Sequence, residues 1–185
     1  MSGKLKVKQS GFTIVELIVV IILLGILAAT ALPRFMDVDD QAHAAAVRGV
    51  LGGFQTGVSL YHAQWVASGQ ASADTQIPEF NNLRVNASGY PYGTTDRSGG
   101  TSTVTTSDDC LAIFTGVLQA GGPTISSAAS AAAVVNSATD YTAVVVATSN
   151  CSYYYTAQGN AAGDSIPLLT YNSATGQIVQ SMATL

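Results

Sequence analysis

The side chains that could do chemistry in this chain are few and widely spaced. One carboxylate, Glu16, stands inside a run, 12–32, that is otherwise uncharged. A carboxylate is costly in an apolar medium, so this one is a functional candidate. Of the two histidines, His43 follows Asp39 and Asp40 by about one helical turn. That spacing gives a solvated i, i+4 pair rather than an acid–base site. His62 borders an apolar stripe and reads as a half-buried helix residue. Cys110 and Cys151 have no further thiol and no nearby histidine to make a zinc site. Asp164 and Asn160 share a glycine-rich loop that lacks the dense acidic set calcium favours. Asn86-Ala87-Ser88 and Asn150-Cys151-Ser152 fit the glycosylation triplet. The chain has no G-x-S-x-G, P-loop, H-E-x-x-H or C-x-x-C motif. These residues point away from an enzyme and name no cofactor.

Glu16 takes its meaning from the element that must hold it. Residues 12–32 make 21 positions, which as a helix span about 30 Å, the thickness of a bilayer's hydrocarbon core. Lys4, Lys6 and Lys8 precede the run. The positive-inside tendency then sets the N-terminus in the cytoplasm and everything past Pro33 outside. A cleavable secretory signal has the same basic start, and Ala28-Ala29-Thr30-Ala31 offers small residues for its cut. Its apolar region would be too long, however, and would open on a glutamate.

Gly11-Phe12-Thr13-Ile14-Val15-Glu16, behind a short lysine-bearing leader and ahead of an apolar run ending near Pro33, resembles the class III signal of type IV prepilins and pseudopilins. The resemblance implies that a prepilin peptidase/methyltransferase cuts between Gly11 and Phe12 and N-methylates Phe12. It implies that Glu16 of one subunit pairs with the Phe12 amine of a neighbour, and that 25–33, with Gly25 and Pro33, melts in the filament. Pro33-Arg34-Phe35 followed by Asp39-Asp40 is most similar to the mannose-sensitive haemagglutinin (MSHA) pilins, which implies adhesion and biofilm formation. The partners implied are the chain itself as a helical homopolymer, the inner-membrane assembly platform, and a surface receptor or glycan. A bacterial inner-membrane stage would precede an extracellular pilus.

Composition agrees with a protein of that kind. Past the leader, four arginines face eleven acidic residues, a formal −7. Nucleic-acid binding therefore has no electrostatic support. Only 10% of residues are charged, and Ser, Thr, Ala, Gly and Asn supply the surface. Both cysteines fall outside the membrane, where an isolated pair reads as a disulfide. Closing a loop of about forty residues is worth about 4 kcal/mol in the chain-entropy model.

The helix is expected to continue past Pro33 to about Ser68, some 55 residues in all. Val47, Leu51, Phe54, Val58, Tyr61 and Trp65 alternate in steps of four and three, the pattern of one face laid on a core. Gly52 and Gly53 would allow a sheet to approach closely. A connecting region follows, with a strand candidate over 83–87. Its Gly89-Tyr90-Pro91-Tyr92-Gly93 turn resembles a recurring segment of pilin loops. Ser107 is expected to cap a short helix, 110–119, with Leu111, Phe114 and Leu118 inward. Residues 125–137 fit helix or loop equally. Strands are expected over 141–148, 151–156, 168–172 and 177–182, with turns at Ser149-Asn150 and Ser173-Ala174-Thr175-Gly176. Of Tyr153, Tyr154 and Tyr155, at most two can face inward.

The expected architecture is α+β, a type IV pilin fold: a long N-terminal helix on an antiparallel sheet of about four strands. Its divisions are a cleaved leader (1–11), a membrane and filament-core helix (12–33), an amphipathic helical half (34–68) and a disulfide-bonded head (69–185). The function implied is a structural filament subunit. The alternatives are a type II secretion pseudopilin and, more distantly, a membrane-anchored periplasmic enzyme or binding module.

Overall fold

The computed structural model of the chain describes residues 11–69, 72–97, 102–119, 121–147 and 149–185, with backbone only over 33–37. The leader before Gly11 lies outside the described residues. So do Gln70 at the expected helix end, part of the Ser/Thr/Gly-rich stretch, and Thr148. One helix, α1, covers Ile14–Ala67, 54 residues. The chain forms two compact units, divided between Ala44 and Ala45. The larger unit, Ala45–Leu185, takes in the last turns of α1, because the apolar stripe begins there.

In that unit Val47, Phe54, Val58 and Tyr61 are fully buried, with Leu51 and Trp65 packed at the margin. The stripe lies against α2 (Ser107–Leu118) and a five-stranded sheet. The strands of that sheet are β4 (Ile125–Ser127), β5 (Tyr141–Ala147), β6 (Asn150–Tyr155), β7 (Ser165–Asn172) and β8 (Gln177–Thr184), side by side in that order. β5 to β8 are antiparallel; β4 joins β5 in parallel at the edge. A second, antiparallel sheet holds β1 (Gln76–Ile77), β2 (Leu83–Val85) and β3 (Pro91–Gly93). The α+β reading thus stands, with a parallel edge strand added to the four expected. Phe54 sits at the centre of the core, its ring 5.5 Å from Phe114, 5.4 Å from Tyr153 and 5.7 Å from Tyr171. One residue of α1 thereby touches α2, β6 and β7.

Local chemistry fixes the joints. Asn172 Oδ1 accepts from Ala174 N at 2.8 Å, an Asx turn that closes β7 onto β8 with Asn172 opposite Gln177. The first hairpin turns one residue earlier than expected, since Asn150 already belongs to β6 and pairs with Ala147. The cap of α2 is Thr106 rather than Ser107. Thr106 is extended, and its hydroxyl accepts from Asp109 N at 3.1 Å while Asp109 answers to the Thr106 amide, a capping box. Ser107 instead accepts from Val145 N, tying α2 to β5. That register buries Cys110, Ile113, Phe114 and Val117 and leaves Leu111 and Leu118 half-buried. Cys110 and Cys151 form a disulfide that joins α2 to the central strand β6.

Two packing expectations change. The close approach to α1 is made by α2 rather than by a sheet: a Cβ at Gly57 would lie 2.5 Å from Val117, one at Gly53 would meet Leu118 at 3.4 Å, and Gly52 faces open space. All three consecutive tyrosines are buried. Tyr153 and Tyr155 enter the main core, and Tyr154 enters a second cluster with Val134, Val144 and Ile166 on the other face of the sheet.

Candidate functional site

The smaller unit carries the N-terminal segment. Phe12 is 96% exposed, and so is every large apolar side chain from Ile14 to Leu32 to a substantial degree. Ile14–Leu32, with mean hydropathy 2.8 and none of it buried, is long and apolar enough to cross a membrane. Such a surface is stable only where lipid or another apolar helix covers it.

Glu16 is held by the start of its own helix. Its Oε2 accepts from Thr13 N and from Thr13 Oγ1, each at 2.8 Å, while Thr13 Oγ1 accepts from Glu16 N at 3.3 Å. This reciprocal pair is a capping box. The helix N-terminus also favours negative charge at Glu16. Both bonds end on Oε2; among the described residues Oε1 accepts none. Phe12 is next to Thr13 in the chain, so the expected cut and the carboxylate lie within one helical turn. The reading of the sequence singled out Glu16 and passed over Thr13, although Thr-x-x-Glu ahead of an apolar run is the signature of such a box. Farther along, nothing lies within 4 Å of the position a Gly25 side chain would take. α1 runs on through Pro33.

The other candidates resolve into structural roles. His43 Nε2 lies 3.8 Å from Asp39 on the same helix. His62 stacks on Tyr90 with centroids 4.7 Å apart and bonds Gly89 O at 3.1 Å. Gly89, at φ +84°, lies against the Trp65 ring, where any side chain would collide. Asn86 is buried, donates to Ser173 O at 2.5 Å and accepts from Ser88 N and Tyr90 N. Its carboxamide is committed to the fold, which removes it as a glycan acceptor. Asp164 Oδ2 accepts from Ala161 N at 2.8 Å, closing its own loop. Among the described residues no three His, Cys, Asp or Glu side chains gather around a metal-sized space.

The larger unit contains one charge cluster that sequence reasoning missed. Asp109, 2% exposed, accepts from Arg97 Nη2 at 2.6 Å, Thr105 N at 3.2 Å, Thr106 N at 3.1 Å and Thr95 Oγ1 at 3.3 Å. Arg84 pairs with Asp74 at 3.4 Å and Asp96 at 3.1 Å. These contacts tie Thr95, Asp96 and Arg97 on one side, and Thr105 and Thr106 on the other, to the fold. Burial raises the pKa of Tyr61, Tyr141, Tyr153 and Tyr171.

Residues 6–32 match the family described as the prokaryotic N-terminal methylation motif. The chain is 34% identical over 118 residues to the type IV narrow pilus major component PilA5 of Thermus thermophilus, covering 63% of this chain and 92% of that one. It is 36% identical over 76 residues to the type IV major pilin PilE1 of Neisseria gonorrhoeae, 37% of this chain and 46% of that one. It is also 39% identical over 54 residues to the type II secretion system core protein G of Pseudomonas aeruginosa, 29% of this chain and 38% of that one. No solved structure matches.

Proposed function

The chain belongs to the type IV pilin family, and from that premise we propose that it is a filament subunit. On this reading it is no enzyme; it is anchored by its apolar helix, processed by a prepilin peptidase and polymerised with copies of itself. The observation that carries the reading is the joint presence of the methylation motif over residues 6–32 and identity to a pilus major component over 92% of that protein.

Within it, the peptidase cuts between Gly11 and Phe12 and methylates the Phe12 amine. Before assembly the N-terminus is cytoplasmic and the head periplasmic, and an inner-membrane platform extracts the subunit. In the filament, Glu16 of one copy meets the Phe12 amine of another. The stretch 25–33 is where the helix opens, since Gly25 adds backbone freedom and Pro33 lacks a donor. The 12–33 segment is then the filament core, and 34–68 joins it to the head, 69–185. Pro33-Arg34-Phe35 with Asp39-Asp40 favours an MSHA-like role in adhesion and biofilm formation through a surface receptor or glycan.

The match to core protein G favours a pseudopilin as the second reading. Cells expressing the full chain separate the two. A pilin appears in long surface filaments that shear into the medium, and a pseudopilin stays with the envelope. Glu16→Ala tests the assembly role. The variant remains processed and membrane-bound but makes no filaments, and normal filaments from it would sink the pairing.

A further inference from the structure

β8 closes one side of the five-stranded sheet and is a long free edge. It has eight residues, whereas the other edges among the described strands, β4, β1 and β3, have three, two and three. Its pairing with β7 runs from Ser165–Thr184 to Asn172–Gln177 without a bulge. Leu185 N donates to Asp164 O across the same pair of chain segments. Backbone groups alternate in direction along an antiparallel strand, so Gln177, Val179, Ser181 and Ala183 bond towards β7 as well. The N–H and C=O groups of Ile178, Gln180, Met182 and Thr184 therefore point outward, and among the described residues no strand meets them.

Edges of this length in soluble proteins commonly carry charge, proline or a bulge that blocks pairing. Gln177–Thr184 has no charge, no proline and no bulge. Ile178 faces the main core and Ala183 the second cluster, so by alternation Met182 and Val179 lie on the two faces of the sheet. Both stand in solvent, at 59% and 50% exposed. Past the leader the chain has four arginines against eleven acidic residues. Two copies therefore repel over much of their surface and can approach along this uncharged edge. The occupant has to supply an extended strand of matching length, and among the described strands only a second β8 offers one as a free edge.

We propose that β8 pairs with β8 of a second copy, antiparallel about a two-fold axis at Ser181. This register uses every outward group, with Ile178 opposite Thr184 and Gln180 opposite Met182 of the second copy. On the other face Val179 meets Ala183, Ser181 meets its own counterpart, and no like charges are opposed. An axis at Gln180 would instead set Thr184 against Gly176 in the turn. The contact is isologous. Copies within one polar filament share a direction and cannot be related by such an axis. On the reading of the chain as a filament subunit, on which this last step rests, β8 joins copies in neighbouring filaments side by side.

The test uses the full chain, solubilised in detergent so that its heads can meet in any orientation. Ser181→Cys places two thiols face to face in a non-hydrogen-bonded pair, with Cα atoms about 4.5 Å apart, within reach of a disulfide. Ala174→Cys, in the exposed turn, is the control. Mild oxidation is expected to yield about tenfold more linked dimer from Ser181→Cys than from Ala174→Cys; equal yields would overturn the pairing. Ser181→Asp and Ser181→Lys each oppose like charges across the axis. Each is expected to weaken dimerisation, read by sedimentation, by about fivefold, and an equal mixture of the two to restore it. Dimerisation unchanged in both variants would overturn the pairing as well. In cells, parental filaments are expected in bundles and Ser181→Asp filaments singly, and equal bundling would overturn the lateral role. Absence of filaments from the parent would remove the filament reading alone, since the detergent measurements decide the pairing without it.

Discussion

Replacing Asp109 with alanine should damage the head more than any other single change of charge. The carboxylate is 2% exposed and receives four donors, one of them the Arg97 guanidinium at 2.6 Å. Removing it leaves a cation whose side chain is only 17% exposed without its partner. Breaking a buried pair from one side costs about 3–5 kcal/mol. The amides of Thr105 and Thr106 lose their acceptor in the same step, and unsatisfied donors of this kind cost about 1–3 kcal/mol each when water cannot reach them. Since Thr105 and Thr106 are exposed residues, water recovers much of that second cost. We therefore expect a total of about 4 kcal/mol, a large share of the roughly 5–15 kcal/mol that holds a domain folded. Trp65, the chain's single tryptophan, packs against the core and reports unfolding. In urea, with a slope of about 1.5 kcal/mol per molar, the midpoint should fall by about 2.5 M. Asp108, its neighbour in sequence, is exposed and accepts from Ser127 Oγ at 2.6 Å, and it is the control. A loss from Asp109→Ala no greater than that from Asp108→Ala would refute the buried-pair reasoning. A double variant with Arg97→Ala should recover part of the loss, because it removes the orphaned charge.

Two further outcomes follow from the core. Opening the disulfide with Cys110→Ser and Cys151→Ser should cost about 4 kcal/mol, the entropy of a loop spanning 41 positions, visible as the same kind of urea shift; an unchanged midpoint would show that the bridge constrains nothing. The second concerns alkaline pH. Tyr61, Tyr153 and Tyr171 donate to Leu83 O, Cys110 O and Pro91 O, and burial raises the pKa of all three and of Tyr141. An unfolded tyrosine titrates near 10, so the folded state keeps protons that the unfolded state gives up above that pH. Stability should be unaffected below about pH 10 and fall by about 5 kcal/mol per pH unit above it, at about 1.4 kcal/mol for each of the four. Stopped-flow phenolate absorbance, fast enough to precede alkaline attack on the disulfide, should show these four ionising together with unfolding. Their titration near 10 in an intact fold would contradict the burial account.

Much of the fold was legible because it is local and periodic. The stripe from Val47 to Trp65 is a 3.6-residue pattern long enough to read directly, and Ser173-Ala174-Thr175-Gly176 announces its hairpin. Residues 125–137 were illegible for a physical reason. β4 is held by parallel pairing to β5 and by hydroxyl contacts among Ser126, Ser137, Thr139 and Thr142. Alanine and serine leave no apolar period to betray such an arrangement. The same segment supplies Val134 to the second cluster that buries Tyr154, which is why strand alternation alone undercounted the buried tyrosines.

At the site, the lone charge among apolar residues made Glu16 plain, while its cap was overshadowed by the hydrophobic run. The signal for Thr13 was present in the spacing. The Arg97–Asp109 pair had no such signal. Its residues stand 12 apart in a connection without period, and only tertiary structure brings them together.

On the proposed reading, a chain cut before Phe12 polymerises through its N-terminal helix. Intact-mass spectrometry of the protein sheared from cells expressing the full chain tests it most directly. The expected result is filaments whose subunit begins at Phe12 and carries one methyl group on that amine. A membrane-retained chain absent from sheared filaments would contradict it, as would a subunit beginning beyond Ala28-Ala29-Thr30-Ala31.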